Sequence, residues 1–410
     1  MFGWVTSIRN QTNFAFLVVK DREGIFQVTV KKEQADTNLL DLIDSITEHS
    51  SIGVRGHEKA ISKAPHGAEI VPTQLKHLAT SKIPPFSIFG GDLPTLDQRL
   101  EIRPVDLRRE KAQAIFKIRN VVLNVIREYL VSKRYFEIQT PKIISSATEG
   151  GAALFSVLYY NMPAFLVQSP QLYKEEMVIP FEKVFEIGPV FRAEESRTVR
   201  HLSEVTSVDV EQAFINFHDI MDTLESLVKY VAREVNEKCS AELAKVLPAK
   251  IDLEQRFPRV TYDEIINKFK EIGEDVTWGD DISASGLDKL QELKSRFYFI
   301  VDWPTATKPF YAKPKEENPK YSETFDLMFG SLEMASGGSR LNSKKELTSR
   351  LREQKLKPKA FEYHLQNYDY GMPPHAGFGL GLERLMMTLT GEENIREVTL
   401  YPRDKFRLAP

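Results

Sequence analysis

The stretch Phe191 to Phe214, FRAEESRTVRHLSEVTSVDVEQAF, decides how the chain is read. An extended run ending in Arg192 and Glu194 leads into a polar tip with Arg197, Arg200 and His201, and a return run follows from Val205 to Glu211. Side chains alternate along a strand, so Ser207, Asp209 and Glu211 share one face and Thr206, Val208 and Val210 the other. The apolar face is expected against a core. The opposite face sets carboxylates beside arginines and a histidine, a mixed-sign group suited to a ligand that is both anionic and cationic. An isolated charged hairpin is more often a solvated surface feature, and the rest of the chain reverses that reading.

On the N-terminal side of the hairpin, Ile115, Ile118, Val122, Val125, Ile126 and Tyr129 recur at helical spacing and predict a helix over 111–133. It runs into RYFEIQTPKI, an extended segment whose Pro141 should halt pairing or sit at a sheet edge. Further helices are expected at 219–239 and from Leu287 to Lys294. Helices scattered among antiparallel hairpins, without a βαβ alternation, predict an α+β domain with an antiparallel sheet flanked by helices. Near the C-terminus, GFGLGLERLMMTLTG carries glycines at alternate positions, which would let the backbone approach a ligand, and then a helix opening on Glu383 and Arg384. The run does not match the dinucleotide-binding fingerprint and no Walker sequence occurs, so Rossmann and P-loop readings fall away.

Residues 1–80 read as short strands (FAFLVV, IFQVTV, SIGVRG, AEIVPTQL) with Gly and Asp turns, the pattern of a small β-barrel. Phe14 and Phe16 lie near Arg9, with Gln27 one strand later. An aromatic for stacking and an amide for a base edge suit single-stranded RNA; ordinary core is the other reading, and both stay open. Residues 81–110 are rich in Pro and Gly and read as a linker or hinge before a catalytic domain at 111–410. The chain begins abruptly on an apparent first strand, so preceding sequence is expected. With 410 residues it exceeds one ordinary core, and 42% hydrophobic with 28% charged residues excludes a disordered chain. No apolar run approaches bilayer length, and the start lacks the parts of a signal peptide. A single cysteine, Cys239, excludes an internal disulfide and fits a reducing cytosol. The net charge of −3 leaves any nucleic-acid contact to local basic patches.

In order and separation, RYFEIQTPKI, the FRAE hairpin and GLGLER resemble motifs 1, 2 and 3 of the class II aminoacyl-tRNA synthetases. ATEGG (147–151), QSPQLYK (168–174), SVDVE (207–211), SGGSR (336–340), YGMPPHAGFGLGLER and IREVTLYPRD resemble, more narrowly, the archaeal-type aspartyl-tRNA synthetases. The likeness spans essentially the whole chain, with the barrel as an OB-fold anticodon-binding domain and no room for the bacterial insertion between motifs 2 and 3. It implies ATP-dependent activation of L-aspartate and transfer to tRNA-Asp by a cytoplasmic homodimer, with no membrane partner and Mg2+ as cofactor. Arg192 would meet the α-phosphate, Glu194 the adenine amino group, and Arg200 and His201 the outer phosphates. Arg384 would hold the γ-phosphate, with Gly381 also in the ATP site, and Arg192 and Arg384 would be the catalytic pair. Glu333 and Ser336 would hold the metal, hard oxygens for a hard cation.

For the amino acid, the resemblance implies Arg340 and Lys174 on the side-chain carboxylate, Asp209, Gln171 and Glu149 on the ammonium group, and Ser336 close by. Asparaginyl enzymes share the motifs but typically have no lysine at the Lys174 position, so this residue favours aspartate. Ser339 stands where the family usually has Gln, which touches the fine detail of the pocket. Phe16 matches the stacking aromatic for the central anticodon base, with Gln27 on its edge and Arg9 nearby. Enzymes that reject tRNA-Asn often carry Trp and Lys where this chain has Thr6 and Pro65, so tRNA-Asn is expected as a further acceptor. The dimer would form through the 111–133 helix and Pro141. An asparaginyl-tRNA synthetase or asparagine-forming paralogue is the near alternative. An inactive RNA-binding paralogue is the remote one, disfavoured because a pure binder has no need of Arg192, Glu194, Glu333, Arg340 and Arg384 together.

Overall fold

The computed structural model describes every residue except 62–63, 65–66, 89–92, 146–153, 194–197 and 247–253. The chain forms two compact units, Met1–Arg109 and Glu110–Pro410.

In the first unit, β1 (Phe2–Asn10), β2 (Phe14–Lys20), β3 (Ile25–Lys31), β4 (Ser51–Ala60) and β5 (Ala68–Ala79) close a barrel in the order β1-β2-β3-β5-β4. Period-two alternation explains the closure: Ala15, Leu17 and Val19 are buried inside, and Phe14, Phe16 and Val18 stay on the other face. Helix α1 (Thr37–Ser45) starts where the Asp36 carboxylate accepts from the Leu39 backbone N–H at 2.8 Å. The stretch read as a linker contains two short helices, α2 (Leu96–Glu101) and α3 (Arg103–Asp106). They are knit by a buried Asp106 that takes ion pairs from Arg99, Arg103 and Arg109, an arrangement that compensates a charge too costly to bury alone.

The second unit is built on one eight-stranded sheet. Its strands are β6 (Phe136–Glu137), β10 (Lys183–Phe191), β11 (Glu204–Ala213), β12 (Arg259–Thr261), β13 (Phe297–Val301), β14 (Thr324–Phe329), β15 (Leu332–Ser339) and β16 (His375–Gly381). They lie in the order β12-β13-β14-β15-β16-β11-β10-β6, antiparallel except for the two edge pairs β12–β13 and β10–β6. The short β7 (Ile143–Ile144), β8 (Ser156–Tyr159) and β9 (Met162–Leu166) make a separate three-stranded sheet. The 111–133 expectation becomes α4 (Glu110–Ser132), and its six periodic apolar residues are all buried. The 219–239 helix starts earlier, as α6 (Phe217–Lys238), because Asn216 and Asp219 form a capping box. Helices α4 and α6 cover one sheet face through Ile118, Val122, Leu224 and Val228 among others. The other face carries α5 (Gln171–Phe181), α10 (Lys344–Glu353) and α11 (Glu362–Asn367), packed with Phe310 and Leu341. The smaller helices α7 (Ser240–Leu243), α8 (Tyr262–Glu271) and α9 (Ala284–Lys289) lie between β11 and β13 in sequence, and α12 (Leu382–Thr390) continues directly from β16.

Candidate active site

The paired strands β10 and β11, in register from Lys183↔Gln212 to Phe191↔Glu204, bring the opening hairpin to the centre of the sheet. Val208 and Val210 enter the core beneath α4 and α6. Asp209 and Glu211, on the opposite face, are equally buried and meet α5. The polar side of this strand is thus the floor of a cavity and not a solvated face.

That floor is a network of paired charges. Lys174, on the first turn of α5, donates to Asp209 Oδ1 at 3.0 Å and to the Phe378 carbonyl at 3.1 Å, and its Nζ lies 3.4 Å from Glu211 Oε2. Arg340, just beyond β15, donates through Nε to Glu211 Oε1 at 3.1 Å and through an Nη to Gln171 Oε1 at 3.4 Å. Its guanidinium also sits 5.2 Å from the centre of the Tyr311 ring. Gln171, Asp209 and Arg340 line the cavity, of about 490 Å³, together with Ser336. Lys174 is only 1% exposed and lies below that lining, so its charge reaches the cavity through Asp209 and Glu211 and not by open contact.

The same cavity is lined by Arg192, Arg200, His201, Glu333, Gly381 and Arg384. Glu333 and Arg340 are seven residues apart along an extended strand, which separates two ends of the cavity, one cationic and open, one buried. At the open end the Arg384 guanidinium donates to the Glu333 carbonyl at 2.7 Å and lies 3.6 Å from its carboxylate. Arg200 donates to the Ser331 carbonyl at 3.2 Å and hydroxyl at 3.0 Å, and His201 Nδ1 is 2.6 Å from the Thr198 hydroxyl. The Arg396 guanidinium ties the base of this loop by donating to the Thr198 carbonyl at 3.1 Å and to Asp404.

Two expectations concerning glycine and serine are refined. Of the alternate glycines, Gly379 and Gly381 line the cavity, but Gly377 is demanded by packing: a Cβ there would fall 2.0 Å from Glu211 Oε2 and 2.3 Å from the Val210 carbonyl. Ser339 turns away from the pocket; its hydroxyl accepts from the Phe217 N–H at 2.9 Å at the start of α6. The Arg340 environment is therefore untouched by that departure from the usual sequence.

Several site residues escape a reading of the sequence. Asp326 pairs across β14–β15 with Ser336, and its Oδ1 is buried without a hydrogen bond among the described residues, while its Oδ2 holds Lys308 at 2.8 Å. Burial pushes its pKa up; Lys308 opposes this and Glu333 adds to it. Among the described residues no cluster of three or more His, Cys, Asp or Glu suits a metal. A pair of carboxylates with a hydroxyl is still the donor set of a Mg2+ that keeps waters and phosphate oxygens as its other ligands, so Asp326, Glu333 and Ser336 fit that ion. The only sequence signal for Asp326 was a charge inside an apolar strand, TFDLMF. Glu175 was hidden likewise, since Tyr368, His364 and His375 reach it from distant elements. Glu149, Glu194 and Arg197 lie outside the described residues.

On the barrel, Arg9 pairs in register with Phe16, and Gln27 with Val18, so Arg9, Phe16 and Gln27 occupy one face of β1-β2-β3. Phe14 and Phe16 are stacked there at 5.9 Å and only partly buried, outside the core. Gln27 donates its amide to Glu69 at 3.4 Å and to Thr29 at 3.2 Å, which leaves the amide oxygen as the presented group. Thr6 sits at the β1 bulge and donates to the Val18 carbonyl at 3.2 Å. Pro65 lies outside the described residues, and Pro141 is exposed beyond the end of β6.

Comparison with known proteins adds the following. Residues 95–405 match the family described as tRNA synthetases class II (D, K and N), and residues 1–78 match the OB-fold nucleic acid binding domain. An aspartate–tRNA(Asp/Asn) ligase of Methanopyrus kandleri is 45% identical over 411 residues, covering 100% of this chain and 95% of that protein. The Archaeoglobus fulgidus protein of the same name is 43% identical over 412 residues, covering 100% and 96%. Among solved structures, asparaginyl-tRNA synthetase of Pyrococcus horikoshii with asparaginyl-adenylate superposes with a TM-score of 0.95 at 33% identity, covering 100% of this chain and 95% of that one. The aspartyl-tRNA synthetase of Entamoeba histolytica gives 0.86 at 30%, covering 100% and 89%.

Proposed function

The chain belongs to the class II tRNA synthetases of the D, K and N group, and from that premise we propose that it is an aspartate–tRNA ligase that forms aspartyl-adenylate from ATP and passes the aspartyl group to tRNA. The observation that carries the reading is a single cavity holding Arg192 and Arg384 at one end and Arg340 over Asp209 and Glu211 at the other. An anionic triphosphate suits the first end, and an amino acid with a carboxylate side chain and an ammonium group suits the second.

In the first step an α-carboxylate oxygen of aspartate attacks the α-phosphorus, the bond to the β-phosphate oxygen breaks, and pyrophosphate leaves. Positioning and charge neutralisation do most of this work. Arg192 takes the charge gathering on the α-phosphate; Arg384, with Arg200 and His201, holds the leaving phosphates. Asp326, Glu333 and Ser336 would hold Mg2+, whose positive charge would offset that of the phosphates. Arg340 forms a bidentate fork with the side-chain carboxylate, and Asp209 and Gln171 Oε1 receive the ammonium. In the second step a tRNA terminal ribose hydroxyl attacks the carbonyl, AMP leaves, and the hydroxyl proton passes to the departing phosphate. Glu149 and Glu194 complete the set for ammonium and adenine.

Pyrophosphate exchange with aspartate and with asparagine tests this. Exchange with aspartate alone is expected; exchange with asparagine alone would sink it. Arg384→Ala should lower kcat about 10²–10³-fold, as removal of one transition-state donor does. Replacing magnesium by chelator should abolish exchange, and Glu333→Gln should raise the magnesium requirement at least about tenfold.

The barrel face of Arg9, Phe16 and Gln27 supports anticodon binding by stacking and edge recognition. A relaxed acceptor choice, tRNA-Asp and tRNA-Asn, is supported by Thr6 and Pro65 and by the names of the archaeal relatives. Charging assays with both purified tRNAs check it; strict rejection of tRNA-Asn would restrict the enzyme to one acceptor. The cytoplasm fits the single buried cysteine, and no described helix is long and apolar enough to cross a membrane.

A further inference from the structure

Behind the amino-acid end of the cavity lies a second layer of buried ionisable groups. Gln171 donates through Nε2 to Glu175 Oε1 at 2.6 Å, which leaves its Oε1 for Arg340 at 3.4 Å. Glu175 is fully buried; its Oε2 accepts the Tyr368 hydroxyl at 3.1 Å, with His364 Nε2 at 3.4 Å and His375 Nε2 at 3.7 Å. The other ring nitrogen of His364, Nδ1, lies 3.0 Å from Glu176 Oε1. Nε2 of His364 also lies 3.4 Å from the Tyr368 hydroxyl, whose one proton goes to Glu175. Both ring nitrogens therefore face groups that only accept, and a neutral ring could donate to just one of them. The geometry calls for an imidazolium. Burial opposes that charge, but the hydrogen bonds and attraction of Glu175 and Glu176 outweigh it and lift the pKa to about 9.

The buried charges make this proton consequential. Arg340 and Lys174 are two cations among Asp209, Glu211 and Glu175, three buried carboxylates, whereas Glu176 is partly exposed, so water screens its charge. Without a charged His364 the floor is net negative, which would repel a carboxylate side chain and tolerate a neutral carboxamide. We propose that His364 is a positioning residue for amino-acid selection: as an imidazolium it holds Glu175, and through it the Gln171 amide with its oxygen toward the cavity, and it supplies the charge that admits aspartate over asparagine. This rests on the aspartate reading above. His364 touches no substrate; it acts through Glu175 and Gln171.

The test is pyrophosphate exchange on the full chain for wild type, His364→Gln, and His364→Gln with Glu175→Gln. A charge removed from an interior of effective dielectric near 20, a few hydrogen bonds from the ligand, should change affinity roughly tenfold. His364→Gln is expected to raise the KM for aspartate by about that factor, to lower the aspartate-to-asparagine preference similarly, and to leave the KM for ATP within about twofold. Adding Glu175→Gln removes the stranded negative charge and should bring the aspartate KM back to within about threefold of wild type, a rescue that a merely structural role would not give. An unchanged aspartate KM in folded His364→Gln, or equal increases for aspartate and ATP without rescue, overturns the proposal. Should the single variant not fold, nitrogen NMR of the wild-type rings decides: a buried imidazolium is expected at pH 8, and neutral rings at all eight histidines would overturn it. Wild-type exchange with asparagine alone would defeat the substrate reading, while the NMR result reports the charge of His364 separately.

Discussion

Lys174 shows how much one residue's meaning depends on its neighbours. Its sequence position marks it as a cation for the substrate carboxylate, yet its Nζ is already held by Asp209, the Phe378 carbonyl and Glu211. Removing it strands two buried carboxylates, so Lys174→Leu should cost about 3–5 kcal/mol of stability as well as aspartate selection. Thermal melting beside the exchange assay separates the two losses; a variant that melts like wild type would contradict the buried pairing. At His364 the pH dependence has a definite sign. Its folded pKa, about 9, is raised from 6.5, so its contribution is complete below pH 6.5 and is lost as pH rises through about 9. Burial works against the Glu175 charge, and His364 and His375 overcome it, so the Glu175 pKa is lowered and its contribution persists to strongly acid pH. Melting of wild type should therefore fall by a few degrees between pH 7 and 10, with a shallower slope in His364→Gln.

At the scale of elements, the close contact of β11 and β16 is what forces glycine into the motif. Asp209 and Glu211 pair in register with Gly379 and Gly377, and the carboxylates occupy the space where side chains would stand. Gly377→Ala should destabilise the catalytic unit by ~3 kcal/mol or more, because its Cβ would overlap the Glu211 carboxylate and the backbone of Val210. Gly379→Ala meets Asp209 Oδ1 at a less severe 3.3 Å, beside the cavity. It should leave melting nearly unchanged and raise the KM for aspartate several-fold; the reverse pattern in the two variants would refute the distinction. The hairpin itself was legible from alternation alone, whereas the burial of its polar side was not, since that depends on α5 arriving from another part of the chain.

The whole catalytic unit carries an exposed apolar surface around its short edge strands. Phe136 and Phe181 are stacked at 4.4 Å yet about half exposed, and Ile143, Leu158 and Met162 are exposed in the separate sheet of β7, β8 and β9. An edge strand with such side chains invites a second copy, which supports the homodimer expected from motif 1. Sedimentation should give about twice the 47.0 kDa chain mass, and Phe136→Glu with Phe181→Glu should yield a monomer with greatly reduced exchange. A wild type that sediments as a monomer would remove the homodimer from the reading.

By itself the sequence determined the barrel, the long helices, the antiparallel hairpin and the cavity cations Arg192, Arg200, Arg340 and Arg384, though not Lys308, because these follow from local periodicity and from motifs a few residues long. Only the tertiary structure decided the charge balance of the floor, where Lys174, Glu175, Asp209, Glu211, Arg340 and His364 come from separate elements. It also decided that Ser339 serves α6 and that Asp326 stands opposite Ser336 across β14–β15. The reason is physical: an ionisable group's role depends on burial and on the partners that reach it, and both are set by packing between segments far apart in the chain. The opening hairpin thus declared its charges by residue type, and the fold decided which of them are paired within the protein.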